Sequence, residues 1–214
     1  MIVMQYANNG SLLSYLTQNT SKLTRRMKFQ CFIDIAYQLL VIHDAGIVHC
    51  DLHGGNIVSY DNASETEKGF QLSDPLVCDL GLSRSVNSHE SDSTIRGVLP
   101  FIAPEVFHTC KFTQKSDIYS FGIVMYLIAT GEPPFRDRQF DRHLVCDIMG
   151  GLRPPMPDSA LEEYKKLAQR CCDADPDKRP DARTLWAKIR KLIREVKNNS
   201  SDDDVWNTIY YLLS

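Results

Sequence analysis

Apolar residues along the first half of the chain fall into two kinds of spacing. Met1-Ile2-Val3-Met4-Gln5-Tyr6 reads as an apolar strand, and the turn cluster Ala7-Asn8-Asn9-Gly10 ends it. Leu12, Leu13 and Leu16 then predict a short helix that starts at Ser11. From Thr24 onward Met27, Cys31, Ile35, Leu39 and Ile42 recur at helical spacing, which predicts a long amphipathic helix stopped at Gly46, a residue free to turn left-handed. Ile47-Val48, Ile57-Val58 and Leu76-Val77-Cys78 are too short for helices and read as strands, with the polar residues 61–68 at an exposed hairpin tip.

The second half changes character. Residues 83–96 are rich in serine and contain no aromatic side chain, so a mobile loop is expected there. Residues 118–129 are apolar on every side, the pattern of a helix buried at the centre of a domain. Further helices are predicted near 141–149, 159–172 and 182–196. An acidic linker and a short docking helix built on Val205, Ile209 and Leu213 are expected in 197–214. No internal repeat is visible. The expected fold class is mainly α with a few short β-strands, in one domain over 1–196.

Composition narrows the function classes. Of 214 residues, 43% are hydrophobic and 24% charged, which fits a folded globular chain and excludes a disordered or fibrous one. The net charge of −3 offers no electropositive footprint for a phosphate backbone, so no nucleic-acid partner is expected. Seven cysteines, with no C-x-x-C pair, suggest reduced thiols and a cytoplasmic location. The N-terminus lacks the pattern of a signal peptide, and the longest uncharged apolar run, 118–131, falls short of the roughly 20 residues that span a bilayer. No membrane partner is expected.

Chemistry concentrates in His49-Cys50-Asp51-Leu52-His53-Gly54-Gly55-Asn56. An aspartate and an asparagine five residues apart in one loop can converge, the first to accept a hydroxyl proton and the second to offer an amide oxygen to a hard cation. Asp79, after a hairpin that returns the chain beside Asn56, is the next candidate ligand. Two oxygen ligands from separate loops suit magnesium, which takes its remaining ligands from water and substrate phosphates. His49, Cys50 and His53 also raise the thought of zinc, but they sit in one tight loop with no fourth soft ligand spaced to close a tetrahedron.

On these residues the chain resembles the large, C-terminal lobe of a eukaryotic protein kinase. The catalytic-loop pattern H-R-D-L-x-x-x-N appears as His49 to Asn56, with Cys50 in the arginine position; D-F-G appears as Asp79-Leu80-Gly81; A-P-E is Ala103-Pro104-Glu105. Ser116-Asp117-Ile118-Tyr119-Ser120-Phe121-Gly122 resembles the start of the family's central buried helix, and Asp177-Lys178-Arg179-Pro180 the segment whose arginine pairs with the A-P-E glutamate. The resemblance implies ATP and magnesium as cofactors and a protein substrate. It makes Asp51 the base for the acceptor hydroxyl, and Asn56 and Asp79 the magnesium ligands. It also makes Met4 the gatekeeper, Gln5 to Ala7 the hinge that meets adenine, Ser11 a ribose contact and Val58 part of the floor beneath the ring. His49 is expected to be structural, near Leu80, and Glu105 and Arg179 an ion pair.

Several positions depart from the family. No G-x-G occurs among eleven glycines and no lysine precedes Lys22, so the phosphate-covering loop and strand lysine of the small lobe are missing from the sequence, which reads as hinge plus large lobe. A fragment with negligible phosphotransfer of its own is therefore expected. Cys50 removes the cation that usually receives an activation-loop phosphate, so that modification is not expected to be an obligatory switch. His53 stands where serine/threonine kinases carry lysine, and Val98 where they carry threonine. The 53–55 loop and 97–105 look most like the tyrosine-kinase-like branch. The competing readings are a non-catalytic, pseudokinase-like partner-binding module and a small-molecule phosphotransferase, the latter disfavoured by Ala103-Pro104-Glu105 and the Asp117 helix.

Overall fold

The structure, a computed structural model, describes residue 7 and residues 10–19, 25–59, 75–88 and 94–198. It is mostly helical with a few short strands. In chain order the elements are α1 (Leu12–Asn19), α2 (Arg25–Asp44), β1 (Ile47–Val48), β2 (Ile57–Ser59), β3 (Pro75–Val77), β4 (Arg84–Ser85), α3 (Pro104–Thr109), α4 (Gln114–Thr130), α5 (Arg142–Met149), α6 (Glu162–Cys171) and α7 (Ala182–Asn198). Short 3-10 turns at Leu80–Leu82, Leu99–Phe101 and Pro176–Lys178 punctuate them.

α4 is the axis. Thr113 and Ser116 form a reciprocal capping box at its start, and Gly131, at φ 73°, ends it. Every residue from Ser116 to Ile128 is buried, which is why its sequence shows no polar face. α1, α2 and α6 all pack against it, and α7 packs on α2. Phe32 of α2 stacks on Phe121 of α4 at 5.3 Å and meets Tyr164 of α6 at 5.2 Å, while the Tyr164 hydroxyl donates to the Met125 carbonyl at 2.7 Å. Gly122 lets α6 approach closely: a Cβ there would collide with the Cys172 sulfur.

Two small antiparallel ribbons lie over this helical base. β1 pairs with β4 in the register Ile47↔Ser85 and Val48↔Arg84; β2 pairs with β3 through Ile57↔Val77, Val58↔Leu76 and Ser59↔Pro75. The outer edge of β3 is closed by a helix side chain. Gln38 of α2 donates its amide to the Pro75 carbonyl at 2.6 Å, and its carbonyl accepts from the Val77 N–H at 2.8 Å.

The long helix ends as the sequence predicts, with Gly46 at φ 71°. Other details differ. α6 begins at Glu162 rather than at 159, because Leu161 is extended and the acidic pair Glu162 and Glu163 suits the positive end of the helix dipole. Part of the expected mobile loop is ordered, since Arg84 and Ser85 pair with β1; two polar residues carry no alternation that would reveal a strand. α3 has too few residues to show a helical period, although Pro104 at its first turn marks its start. The strand over 1–6, the hairpin tip 61–68 and the helix near 205–213 fall outside the described residues. All seven cysteines are free. Among the described residues no helix is long and apolar enough to cross a membrane.

Candidate active site

The loop after β1 is shaped by a carboxylate from below. Asp117, 1% exposed in the first turn of α4, accepts from the His49 N–H at 2.8 Å, the Cys50 N–H at 3.0 Å and His43 Nε2 at 2.9 Å. Cys50 sits at φ 68°, a left-handed conformation that costs a residue with a Cβ about 1–2 kcal/mol. Two amide hydrogen bonds to one buried carboxylate hold the chain in it. Burial, reinforced by Asp117, pushes the Cys50 thiol up to about 12, so the sulfur stays protonated and unreactive in this pocket.

This reversal lifts Asp51 to the surface of the loop. Asn56 Nδ2 donates to the Asp51 backbone carbonyl at 3.0 Å and to its Oδ2 at 3.2 Å. His53 Nε2 lies 3.6 Å from the same oxygen. The neighbouring His53 imidazole is the largest influence holding the Asp51 carboxyl below the usual carboxylate range; partial burial opposes it, and the Asn56 amide adds to it. The other oxygen, Oδ1, borders Gly97, where a Cβ would sit 3.2 Å away. Gly97 has φ +127°, so both backbone and space call for glycine.

Asn56 also links to the second ribbon. Its backbone carbonyl accepts from the Cys78 N–H at 2.9 Å, which sets Asp79 one residue beyond that contact. Asp79 is left-handed at φ 63°, a conformation aspartate tolerates, and its Oδ1 accepts from the Gly81 N–H at 3.1 Å. His49 bridges the same two segments from beneath: its Nδ1 accepts from the Asp51 N–H at 3.3 Å and its Nε2 faces the Cys78 carbonyl at 3.2 Å. His49 is fully buried, as a structural residue should be, whereas Leu80 is 47% exposed.

The donor set fits a hard cation. With the Asn56 amide nitrogen turned to Asp51, its carbonyl oxygen would be the atom left for a metal, and the Asp79 carboxylate would offer a second oxygen. The predicted nucleotide contacts converge in part. Ser11 pairs with Val58 across an isolated β-bridge, and the Ser59 N–H donates to the Gly10 carbonyl at 3.3 Å, so the segment before α1 runs beside β2. Ser11 also caps α1 by accepting from the Ser14 N–H at 3.3 Å. Ala7 accepts from the Gly10 N–H at 3.3 Å. Met4 and Gln5 fall outside the described residues.

On the far side of the loop, Arg179 is buried and grips Glu105 through two parallel bonds of 2.7 Å, while also donating to the Lys115 and Asp173 carbonyls at 2.9 Å. The expected ion pair is therefore present, and it ties α3 to the segment that follows α6. Two contacts escaped the sequence reading. Gly97 against Asp51 had only its glycine as a signal, and the His53–Asp51 pair only the substitution of a lysine.

A family model described as protein tyrosine and serine/threonine kinase matches residues 1–189. The chain is 31% identical over 91% of its length to a Dictyostelium discoideum protein described as a probable serine/threonine-protein kinase, 18% of which is covered. It is 28% identical over 89% of its length to the dual specificity protein kinase splA and 27% over 90% to the dual specificity protein kinase shkC, both of the same organism, covering 8% and 37% of them. The chain belongs to the eukaryotic protein kinase superfamily. It spans 13–18% of the length of the first curated relatives it matches.

Proposed function

We propose that this chain carries the catalytic loop of an ATP- and magnesium-dependent protein kinase of the tyrosine-kinase-like branch, with serine or threonine hydroxyls of proteins as its main acceptors and tyrosine as a further one. The observation that carries this reading is the state of Asp51: Oδ2 is engaged by Asn56, while Oδ1 borders Gly97, which has no side chain to cover it. An acceptor hydroxyl brought to Oδ1 gives its proton to that oxygen. Its oxygen lone pair forms the new bond to the γ-phosphorus as the bond from phosphorus to the β,γ-bridging oxygen breaks, and that electron pair leaves with ADP. Asn56 and Asp79 would hold magnesium, which when bound neutralises charge on the phosphates. Ser11 and Val58, brought side by side, are the candidate contacts to ribose and adenine, with Gln5 and Ala7 at the hinge.

The 214 residues contain no G-x-G and no lysine before Lys22. Each missing preorganised donor removes on the order of a hundred- to a thousandfold in rate, so the chain by itself binds nucleotide and turns over far below ordinary kinase rates. The test is a thermal-shift titration with ATP and magnesium, paired with a radiolabelled transfer assay. A magnesium-dependent rise in melting temperature that Asp79→Asn removes, with trace transfer that Asp51→Asn removes, is the expected result. No shift in the presence of magnesium and no Asp51-dependent transfer overturns the reading and favours a partner-binding module.

A further inference from the structure

The kinase reading leaves His53 without a role, yet the loop is built around its ring. Gly55 leaves the ring its place: a Cβ there would lie 2.7 Å from His53 Cε1 and 2.9 Å from Nδ1, so a side chain at 55 would displace the imidazole. Gly54 packs closely on α1 and α4: a Cβ there would collide with Leu127 and crowd Leu13, and its carbonyl accepts from the Leu13 N–H at 3.0 Å. The imidazole rests against Phe101 with ring centroids 5.8 Å apart, and its side chain is 15% exposed. A merely solvated surface histidine needs none of these.

The hydrogen bonds fix which nitrogen carries the proton. The Gly55 N–H, which can only donate, points at Nδ1 at 2.9 Å. Nδ1 must therefore present its lone pair, and the neutral ring carries its hydrogen on Nε2. Nε2 faces Asp51 Oδ2 at 3.6 Å, a separation longer than a hydrogen bond and of the kind that tightens when a reacting complex assembles. Asn56 Nδ2 approaches that same oxygen at 3.2 Å.

Resting on the reading of Asp51 as the base, we propose that His53 is a positioning residue: as the neutral Nε2–H tautomer it stands beside Asp51 Oδ2 and closes onto it, next to Asn56, so that Oδ1 is left to face the acceptor hydroxyl. The carboxylate is thereby kept from rotating and presenting its oxygens at random. A group fixed within hydrogen-bond reach of the reacting proton gains most of its effect from such orientation.

Two substitutions separate the two ends of the ring. Asn at this position keeps an acceptor where Nδ1 stands and loses the donor to Asp51; Gln places an amide near Nε2 and loses the bond to Gly55. Long-range nitrogen–proton NMR on the intact 214-residue chain is expected to show a pyridine-like Nδ1 and a pyrrole-like Nε2 for His53 at neutral pH. Crystal structures are expected to show the Asp51 carboxylate in one orientation in wild type and His53→Gln, and in two in His53→Asn. Trace transfer from ATP and magnesium to a generic acceptor protein is expected to fall about tenfold in His53→Asn, with unchanged KM, and to persist in His53→Gln. An Nδ1–H tautomer, or an Asp51 that keeps its orientation in His53→Asn, overturns the proposal. So does a rate restored by His53→Lys but not by His53→Gln, which would make residue 53 a phosphate contact. If wild type transfers nothing and shows no magnesium-dependent thermal shift with ATP, the kinase reading fails, while tautomer and carboxylate orientation still decide whether His53 holds Asp51.

Discussion

Loop 49–56 and turn 79–82 carry neighbouring functional side chains, but the first rests on a buried carboxylate and the second on exposed backbone. The loop is tied to Asp117 by two backbone hydrogen bonds, from His49 and Cys50, and closed on itself by two more from Asn56 to Asp51, and the strained Cys50 is held from inside the domain. The turn is held at Asp79 by one short-range bond to Gly81, and Leu80 is 47% exposed. Asp51, the candidate proton acceptor, is thus held both through the loop's tie to α4 and by Asn56. Asp79, the candidate metal ligand, is set one residue beyond the Asn56–Cys78 contact and has only the local Gly81 bond at its own carboxylate.

The strongest way to break this contrast is to cut the base itself. Glu105→Ala leaves the Arg179 guanidinium buried without its carboxylate, and denaturant unfolding is expected to show a loss of about 3–5 kcal/mol. Equal stability of variant and wild type would mean that the base is not the anchor. Asp117→Asn comes next. It turns an NH₂ toward donors that need an acceptor, so at least one of the His49, Cys50 and His43 donors goes unpaired, at about 1–3 kcal/mol. The same variant is expected to increase hydrogen exchange at Cys50 while exchange at Gly81 stays unchanged.

Acid sharpens the comparison more gently. The Asp51 carboxyl is held low, so between its folded value and the ordinary value of about 3.9 the unfolded chain binds the extra proton. Its contribution is whole above that ordinary value and lost as pH falls through the folded one. The stability difference between wild type and Asp51→Asn should therefore narrow on going from pH 7 to strongly acid conditions; a difference that widens would contradict the assignment. The smallest effect belongs to the turn: Leu80→Ala is expected to change unfolding free energy by no more than about 0.5 kcal/mol, and a core-sized loss would show that Leu80 is buried in solution.

The sequence carried the long elements and the linear motifs for physical reasons that can be traced to particular residues. α2 and α4 announce themselves by a sustained period and by uninterrupted apolarity, and the carboxamide and carboxylates at 51, 56 and 79 by their spacing in short loops. Elements of few residues did not. β4 exists because Arg84 and Ser85 find β1, a pairing between segments far apart in the chain, and α3 because Arg179, many residues downstream, receives Glu105. The tautomer of His53 was equally hidden, since it depends on a backbone N–H two residues away whose direction no composition encodes.

The amide of Gln38 has one more consequence. An unpaired strand edge invites a second extended peptide to add itself to the sheet, and among the described residues β3 has no strand on the side away from β2. By occupying the Pro75 carbonyl and the Val77 N–H, a single glutamine on a neighbouring helix takes the place of a third strand. The ribbon that leads into Asp79 is thereby guarded against intermolecular zippering, and the guard belongs to the same helix that delivers the chain to loop 49–56.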